Sequence, residues 1–392
     1  MFNTMTPPSF GAIFRNELAK NWARRGRALI IALIILIAGA GLFSWHTYHQ
    51  FENSQQNTQQ AVAQARKQLA QMQHQLTIAP ASKRAALREA VMQQATMVQQ
   101  MQEDNGGVLN ERSQVKSLSS TLATLPTSQR GQTEEQLALA RYRADHGQAF
   151  YNPAADSGWR LVGLIFSGQA VVLFALLAVL IASDAVSAEL QSGTWGILLL
   201  HAPRRIQLYL GKWAAALATV WMFMVVAAVG IFIFGSALMG IGNPMAPHVL
   251  GPRLLTVSLP QDGPVPSVIL AAQTFHLVPQ WSYDLLALGL AVLTVGGLVT
   301  LLIALSVVTR STVWSLILGV LVVISSLAIA ALGKISALDP AVFFPLMSSW
   351  TGIMALQDNN AFLNIQTGLL VTAFWAAAAL IAGMWRINYT DV

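Results

Sequence analysis

Uninterrupted apolar runs of more than 20 residues constrain this chain more than any other feature of it. At 1.5 Å per residue such a run crosses a hydrocarbon layer of about 30 Å as a helix. Only 10% of the 392 residues are charged, and the mean hydropathy is +0.52. A soluble domain carries roughly a quarter of its residues charged. These numbers exclude a soluble enzyme, a coiled-coil rod and a disordered tail. The chain reads as a polytopic membrane protein.

The net charge of +6 is informative only by position. Segment 46–159 holds ten Lys/Arg and nine Asp/Glu, leaving +5 for the short stretches that flank apolar runs. Basic residues there set topology and give no footprint for nucleic acid. The chain has no cysteine, which excludes disulfides, iron–sulfur clusters and thiolate metal sites.

Phe10, Ile13, Phe14, Leu18 and Trp22 fall at helical spacing, with Arg15, Asn16, Lys20, Arg24 and Arg25 on the other side. That pattern predicts a basic amphipathic helix on the membrane interface within residues 1–27. A signal peptide fits poorly, because the apolar run 28–43 ends in Phe43, Ser44 and Trp45 instead of a small-residue cleavage site. The first span is placed at 28–45. Further apolar runs at 160–182, 213–240, 285–308, 313–333 and 362–385 make six. Lys and Arg cluster at the N-terminus, in 183–212, at Arg310 and at Arg386, so both termini are expected in the cytoplasm of a multi-pass protein of the cell (inner) membrane.

The polar stretch 46–159 is expected outside, as a helical domain. Phe51, Val62, Ala65, Leu69, Met72 and Leu76 form one stripe; Leu87, Ala90, Gln94, Met97 and Met101 form a second beyond Pro80. Together they predict an antiparallel helical hairpin, with weaker helices at 109–124 and 132–145. The fold class is therefore an all-α polytopic membrane protein. It has six transmembrane helices, an N-terminal amphipathic interfacial helix and an extracytoplasmic helical insert between spans 1 and 2. Residues 160–392 carry transmembrane helices 2–6.

Segment 183–212 is the most distinctive part. A turn between spans needs only a few residues. This one uses about thirty, with a helix-compatible start at Asp184, a Gly193-Thr194 break and an apolar stretch ending at Pro203. Asp184 and Glu189 do not sit cheaply in hydrocarbon, so the segment begins at the interface. The order Ser187-x-Glu189-x-x-x-Gly193-Thr194, then Leu198-Leu199, Pro203-x-Arg205 and Gly211-Lys212, resembles the type-2 ABC transporter permeases. The tight turn at Thr309-Arg310-Ser311 and the outer segment from Phe343-Phe344-Pro345 agree with that family; 46–159 lies outside its common pattern.

The resemblance implies a permease subunit of an ABC exporter, paired with a second permease copy or a homologous one. It implies a coupling helix in 183–212 that docks on a separate ATP-binding cassette subunit. Glu189, Gly193, Thr194, Arg204 and Arg205 are the candidate coupling residues. No cofactor is expected in this chain, since ATP and Mg²⁺ would sit on the partner. Consistently, the sequence has no G-x-x-x-x-G-K-[ST] loop; Gly211-Lys212-Trp213 lacks the upstream Gly and the hydroxyl. The chain is not expected to be an enzyme by itself.

Other tempting residues have blander readings. His46 and His49, with Met72, Met92, Met97 and Met101, could suggest metal, but imidazoles suit a wet interface and Met fills packing gaps; no metal site is expected. Ser167, Gln169, Thr294, Thr300 and Ser306 bond within spans more readily than they line a path. Asp284 and His276 read as interfacial loop residues near an outer helix end, and no serine has a plausible base. The mostly apolar spans lean toward an amphipathic or hydrophobic substrate. The alternative function is a membrane anchor or sensor that binds an outer partner through 46–159.

Overall fold

The computed structural model describes residues 9–78, 80, 84, 88–95, 98, 108–126, 130–147, 157–167, 170–201, 204–250, 254–257, 267–270, 275–332 and 365–389. Among them the helices are α1 (Phe10–Ile78), α2 (Val108–Thr124), α3 (Arg130–Asp145), α4 (Gly158–Ser167), α5 (Val171–Ala182) and α6 (Ser187–Gln191). They continue with α7 (Thr194–His201), α8 (Arg205–Met239), α9 (Gln280–Thr309), α10 (Thr312–Leu332) and α11 (Ile365–Asn388). Five of the helical stretches are long and apolar enough to cross a membrane: Phe10–Gln50, Val171–Gln191, Arg205–Met239, Gln280–Thr309 and Gly368–Asn388. Gly158–Ser167 and Thr312–Ser325 are shorter apolar helices. The expected second span is thus two helices, α4 and α5; Gln169 and the segment from Phe343 lie outside the described residues.

Two features go beyond the expectation. The separate interfacial helix and first span are one continuous helix of 69 residues, roughly 100 Å long at 1.5 Å per residue. Nothing between Arg25 and Ala28 stops it: Gly26 costs helix propensity but is no breaker, and the Trp22 ring lies over it. The all-α fold of this polytopic membrane protein also carries short strands: among the described residues β1 (Pro247–Leu250), β2 (Leu254–Val257), β3 (Ser267–Leu270) and β4 (His276–Pro279) run between α8 and α9. β1 pairs antiparallel with β4, Pro247 opposite Pro279; β2 pairs with β3, Leu254 opposite Leu270. The prolines sit at ladder ends, where their missing donors do least harm.

α9 is the most buried of the candidate spans and α1 the least. α9 packs against α4, α5, α8, α10 and α11, whereas α1 packs almost wholly on α8. Small residues set these approaches. A side chain on Gly163 of α4 would strike Asp284 of α9, and Gly296 of α9 leaves room for the Trp221 indole, 2.9 Å from where its Cβ would be. Trp221 Nε1 donates to the Val292 carbonyl at 2.9 Å and Trp213 Nε1 to Thr300 Oγ1 at 3.0 Å, tying α8 to α9. Thr294 and Thr300 donate to carbonyls four residues back. α9 ends at Arg310, whose φ of 51° puts it in the left-handed region and turns the chain into α10.

In the insert, Val62 and Ala65 are buried and Leu69, Met72 and Leu76 half-buried along one stripe of α1. Residues 88–95 are helical, with Ala90 and Gln94 half-buried; Leu87, Met97 and Met101 lie outside the described residues. α2 and α3 pack on each other, and α3 rests against β1 and β3. Tyr142 of α3 donates to the Met245 carbonyl at 3.3 Å.

Candidate functional site

The residues of the 183–212 motif gather at one end of the helices, where α1 begins, α5 ends, α8 begins and α9 hands over to α10. After α5 the chain turns through 183–186 into α6, and the first backbone donors of a helix need partners. Ser306 of α9 supplies one: its Oγ accepts from Val186 N at 3.2 Å and Ser187 N at 2.8 Å. Thr312 of α10 donates to Gln191 Oε1 at 2.6 Å. Ser306, expected to bond within the packed spans, thus caps the backbone at the start of α6.

Charges then close the site. Lys212 of α8 is 2% exposed and Glu17 of α1 is 5% exposed, and Lys212 Nζ lies 2.8 Å from Glu17 Oε2. It also lies 2.8 Å from Glu189 Oε2, an ion pair without hydrogen-bond alignment. Lys20 bridges the same two carboxylates from the outside, 2.5 Å from Glu189 Oε1 and 3.3 Å from Glu17 Oε1. Two ammonium groups and two carboxylates thus form a closed ring joining α1, α6 and α8. One turn further along α1, Arg25 pairs with Asp184 and donates to the Ile181 carbonyl at 2.6 Å, and Arg24 lies 3.6 Å from the same carboxylate. Burying charge is tolerable only with such pairing.

Gly211 explains its own place in the motif. A Cβ there would lie 2.5 Å from Ile13 Cγ2, so glycine lets α1 press onto α8 and brings Glu17 to Lys212. Gly193 has φ +71° with open space around it, so its requirement is backbone conformation, not room. It separates α6 from α7. Thr194 Oγ1 lies 2.8 Å from Ser192 Oγ and donates to the Glu189 carbonyl, which fixes the start of α7. Trp195, 1% exposed, anchors α7 in the core.

The five sequence candidates therefore separate. Gly193, Thr194 and Arg204 are exposed and Arg205 is half-buried. Glu189 points inward, with its carboxylate on Lys20 and Lys212. Sequence reasoning missed Glu17, Lys212, Asp184, Ser306 and Trp195 as site residues. A lone acid in a basic helix and a lone lysine in an apolar one were the available signals; their pairing across 195 residues had none.

At the other end, Asp284 is buried in α9, one turn after its first residue and not in a loop, and Gln280 Nε2 donates to its Oδ1 at 2.6 Å. His248 of β1 stacks on Tyr283 with ring centroids 3.6 Å apart, its Nδ1 3.2 Å from Gln280 Oε1. Burial, helped by the nearby charge of Arg160, brings the His248 pKa down to about 4 against the bond from Gln280. His46 lies 2.9 Å from Gln50, and among the described residues no group of three or more His, Cys, Asp or Glu is placed to hold a metal.

No curated protein matches the chain significantly. A family model described as ABC-2 family transporter protein matches residues 12–391, and the chain belongs to that family of membrane transport proteins.

Proposed function

We propose that this chain is the permease subunit of an ABC exporter for an amphipathic or hydrophobic substrate, driven by a separate ATP-binding subunit docked on 183–212. Six spans, made by the middle of α1, α4 with α5, α8, α9, α10 and α11, would put both termini in the cytoplasm and 46–159 outside. A second permease, identical or homologous, completes the pathway, and the inner cell membrane is its place. The Lys/Arg distribution supports that orientation.

One observation carries the reading: the motif segment is exposed on one side and bonded to α1, α8, α9 and α10 on the other. A push on a free loop is dissipated by the loop, whereas a push on α6 and α7 reaches four helices through short bonds. Gly193, Thr194, Arg204 and Arg205 form the side offered to the partner. Glu189 works from behind, holding the segment to α1 and α8. The chain brings no ATPase motif of its own, so ATP and Mg²⁺ belong to the partner.

The test is copurification in detergent with the ATP-binding subunit encoded beside it, followed by ATP hydrolysis. Arg204→Glu should cut coupled hydrolysis at least tenfold without altering the melting of the permease, because Arg204 is exposed. An absence of association with any ATP-binding subunit would transfer the assignment to a membrane anchor or sensor acting through 46–159.

A further inference from the structure

Between α1 and the α4–α5 pair lies a cavity of about 910 Å³, lined by Leu36, Gly39 and Phe43 of α1 and Leu173 and Leu177 of α5, with Phe223 of α8 as its floor. It exists because α1 leans on α8 and barely meets α4. Gly41 and Ile37 of α1 face α8, where a side chain on Gly41 would strike Phe234 and one on Gly230 would strike Ile37. Gly39 faces the opposite way, and a Cβ there meets nothing within 4 Å. The gap is a wedge that opens sideways.

We propose that the wedge binds one acyl chain of an anionic phospholipid from the cytoplasmic leaflet, its headgroup held at Arg24. Three observations select this occupant. The rim residues Ile35, Phe43, Leu164 and Leu173 are all exposed and apolar, so the mouth opens into hydrocarbon, where acyl chains are the abundant apolar molecule. From Ala32 to Phe43 the wedge runs about 16 Å along α1 at 1.5 Å per residue, half of a hydrocarbon layer of about 30 Å. Below it, Arg24 and Arg25 share one acid, Asp184, which already holds Arg25 and lies 3.6 Å from Arg24. Arg24 is 64% exposed, leaving guanidinium charge where anionic headgroups lie. The lipid is a resident one, distinct from the cargo. The wedge stands independently of the transport reading; only the leaflet follows from the orientation proposed above.

The experiment reconstitutes the full chain in nanodiscs containing phosphatidylglycerol with a photoreactive group on its acyl chain, then maps the labelled peptides. Label is expected within 32–43 and 171–177, falling at least fivefold in Gly39→Leu, which fills the open space with a better helix former. Label on the outward-facing Ile30 and Ile31 should stay unchanged and serves as the internal control. A phosphatidylcholine probe should label the wedge at least threefold less, and Arg24→Gln should erase that preference. Label spread evenly and indifferent to Gly39→Leu would mean ordinary surrounding lipid and overturn the site. So would equal labelling by the two headgroups, or Gly39→Cys cross-linking to a second copy in place of lipid label. None of these outcomes bears on ATP hydrolysis through 183–212, so the two readings fail separately.

Discussion

The two ends of the helix bundle are built from different bonds. At the motif end, buried charge is matched to buried charge: Lys212 against Glu17 and Glu189, Arg25 against Asp184, with Ser306 and Thr312 reaching in from α9 and α10. At the insert end, the contacts described are single hydrogen bonds and a ring stack: His248 with Gln280 and Tyr283, Gln280 with Asp284, Tyr142 with the Met245 carbonyl. Paired ions with one partner removed are costly, so the first arrangement resists piecewise opening. Single hydrogen bonds contribute about 1 kcal/mol net each, so the second can open and reclose. In the proposed exporter, a lever that transmits force would need the first kind of joint, and a mouth that parts the second.

The sharpest way to break this contrast is to cut the ring at its buried member. Lys212→Met leaves Glu17 and Glu189 facing each other, and removal of one partner from a buried pair costs about 3–5 kcal/mol. Lys20 still bridges the two carboxylates, so the lower end of that range is expected. Lys20→Met is the control: at 46% exposure its pairs are screened, and a loss under about 1 kcal/mol is expected. Thermal unfolding of the purified permease measures both. Equal losses for the two lysines would mean that the ring carries no special burden.

The insert end makes a pH-dependent counterpart. With its pKa at about 4 in the folded protein against 6.5 ordinarily, His248 stays neutral in place while an unfolded His248 takes up a proton. The unfolded side therefore binds more protons between these values. Stability of the ribbon is fully present above about pH 6.5 and is lost as pH falls toward 4, by roughly 3 kcal/mol in all. Tyr283, Asp284 and Arg160 surround the imidazole, so the difference between wild type and His248→Gln isolates it. Hydrogen exchange of the β1 and β4 amides should quicken on acidification in the first and much less in the second.

Local pattern told part of this story. Helices expected at 109–124 and 132–145 are found at Val108–Thr124 and Arg130–Asp145, because capping residues and periodicity act within a few residues. The short turn at Arg310 was legible for the same reason. Four-residue strands interrupted by Pro and Gly carry no usable period, so the ribbon between α8 and α9 was read only as an outer loop. The continuity of α1 was hidden by a change in its surroundings: apolar residues on one face become apolar residues all round, while the backbone runs on unbroken. In the site, Gly193 and Thr194 announced themselves by sequence spacing. The roles of Glu17, Lys212 and Ser306 depend on helices far apart in the chain, and residue type alone does not report which helix will be the neighbour.

The smallest expected effect is also the most specific. Gly193 is the joint between α6, which faces inward through Glu189, and α7, which Trp195 roots in the core. Its φ of +71° costs an L side chain roughly 1–2 kcal/mol, and nothing lies within 4 Å of its would-be Cβ. Within the permease itself, any substitution effect is therefore backbone strain, with no clash mixed in. Gly193→Ala should lower the melting stability by about 1 kcal/mol, Gly193→Val by more because branching at Cβ suits that region less, and Gly193→Asn by least. Coupled ATP hydrolysis should fall in the same order, since strain relieved by rotating φ swings α7 away from the bonds that hold α6. A hydrolysis loss equal in all three variants would instead mean that Gly193 touches the partner directly, and that any side chain there obstructs docking.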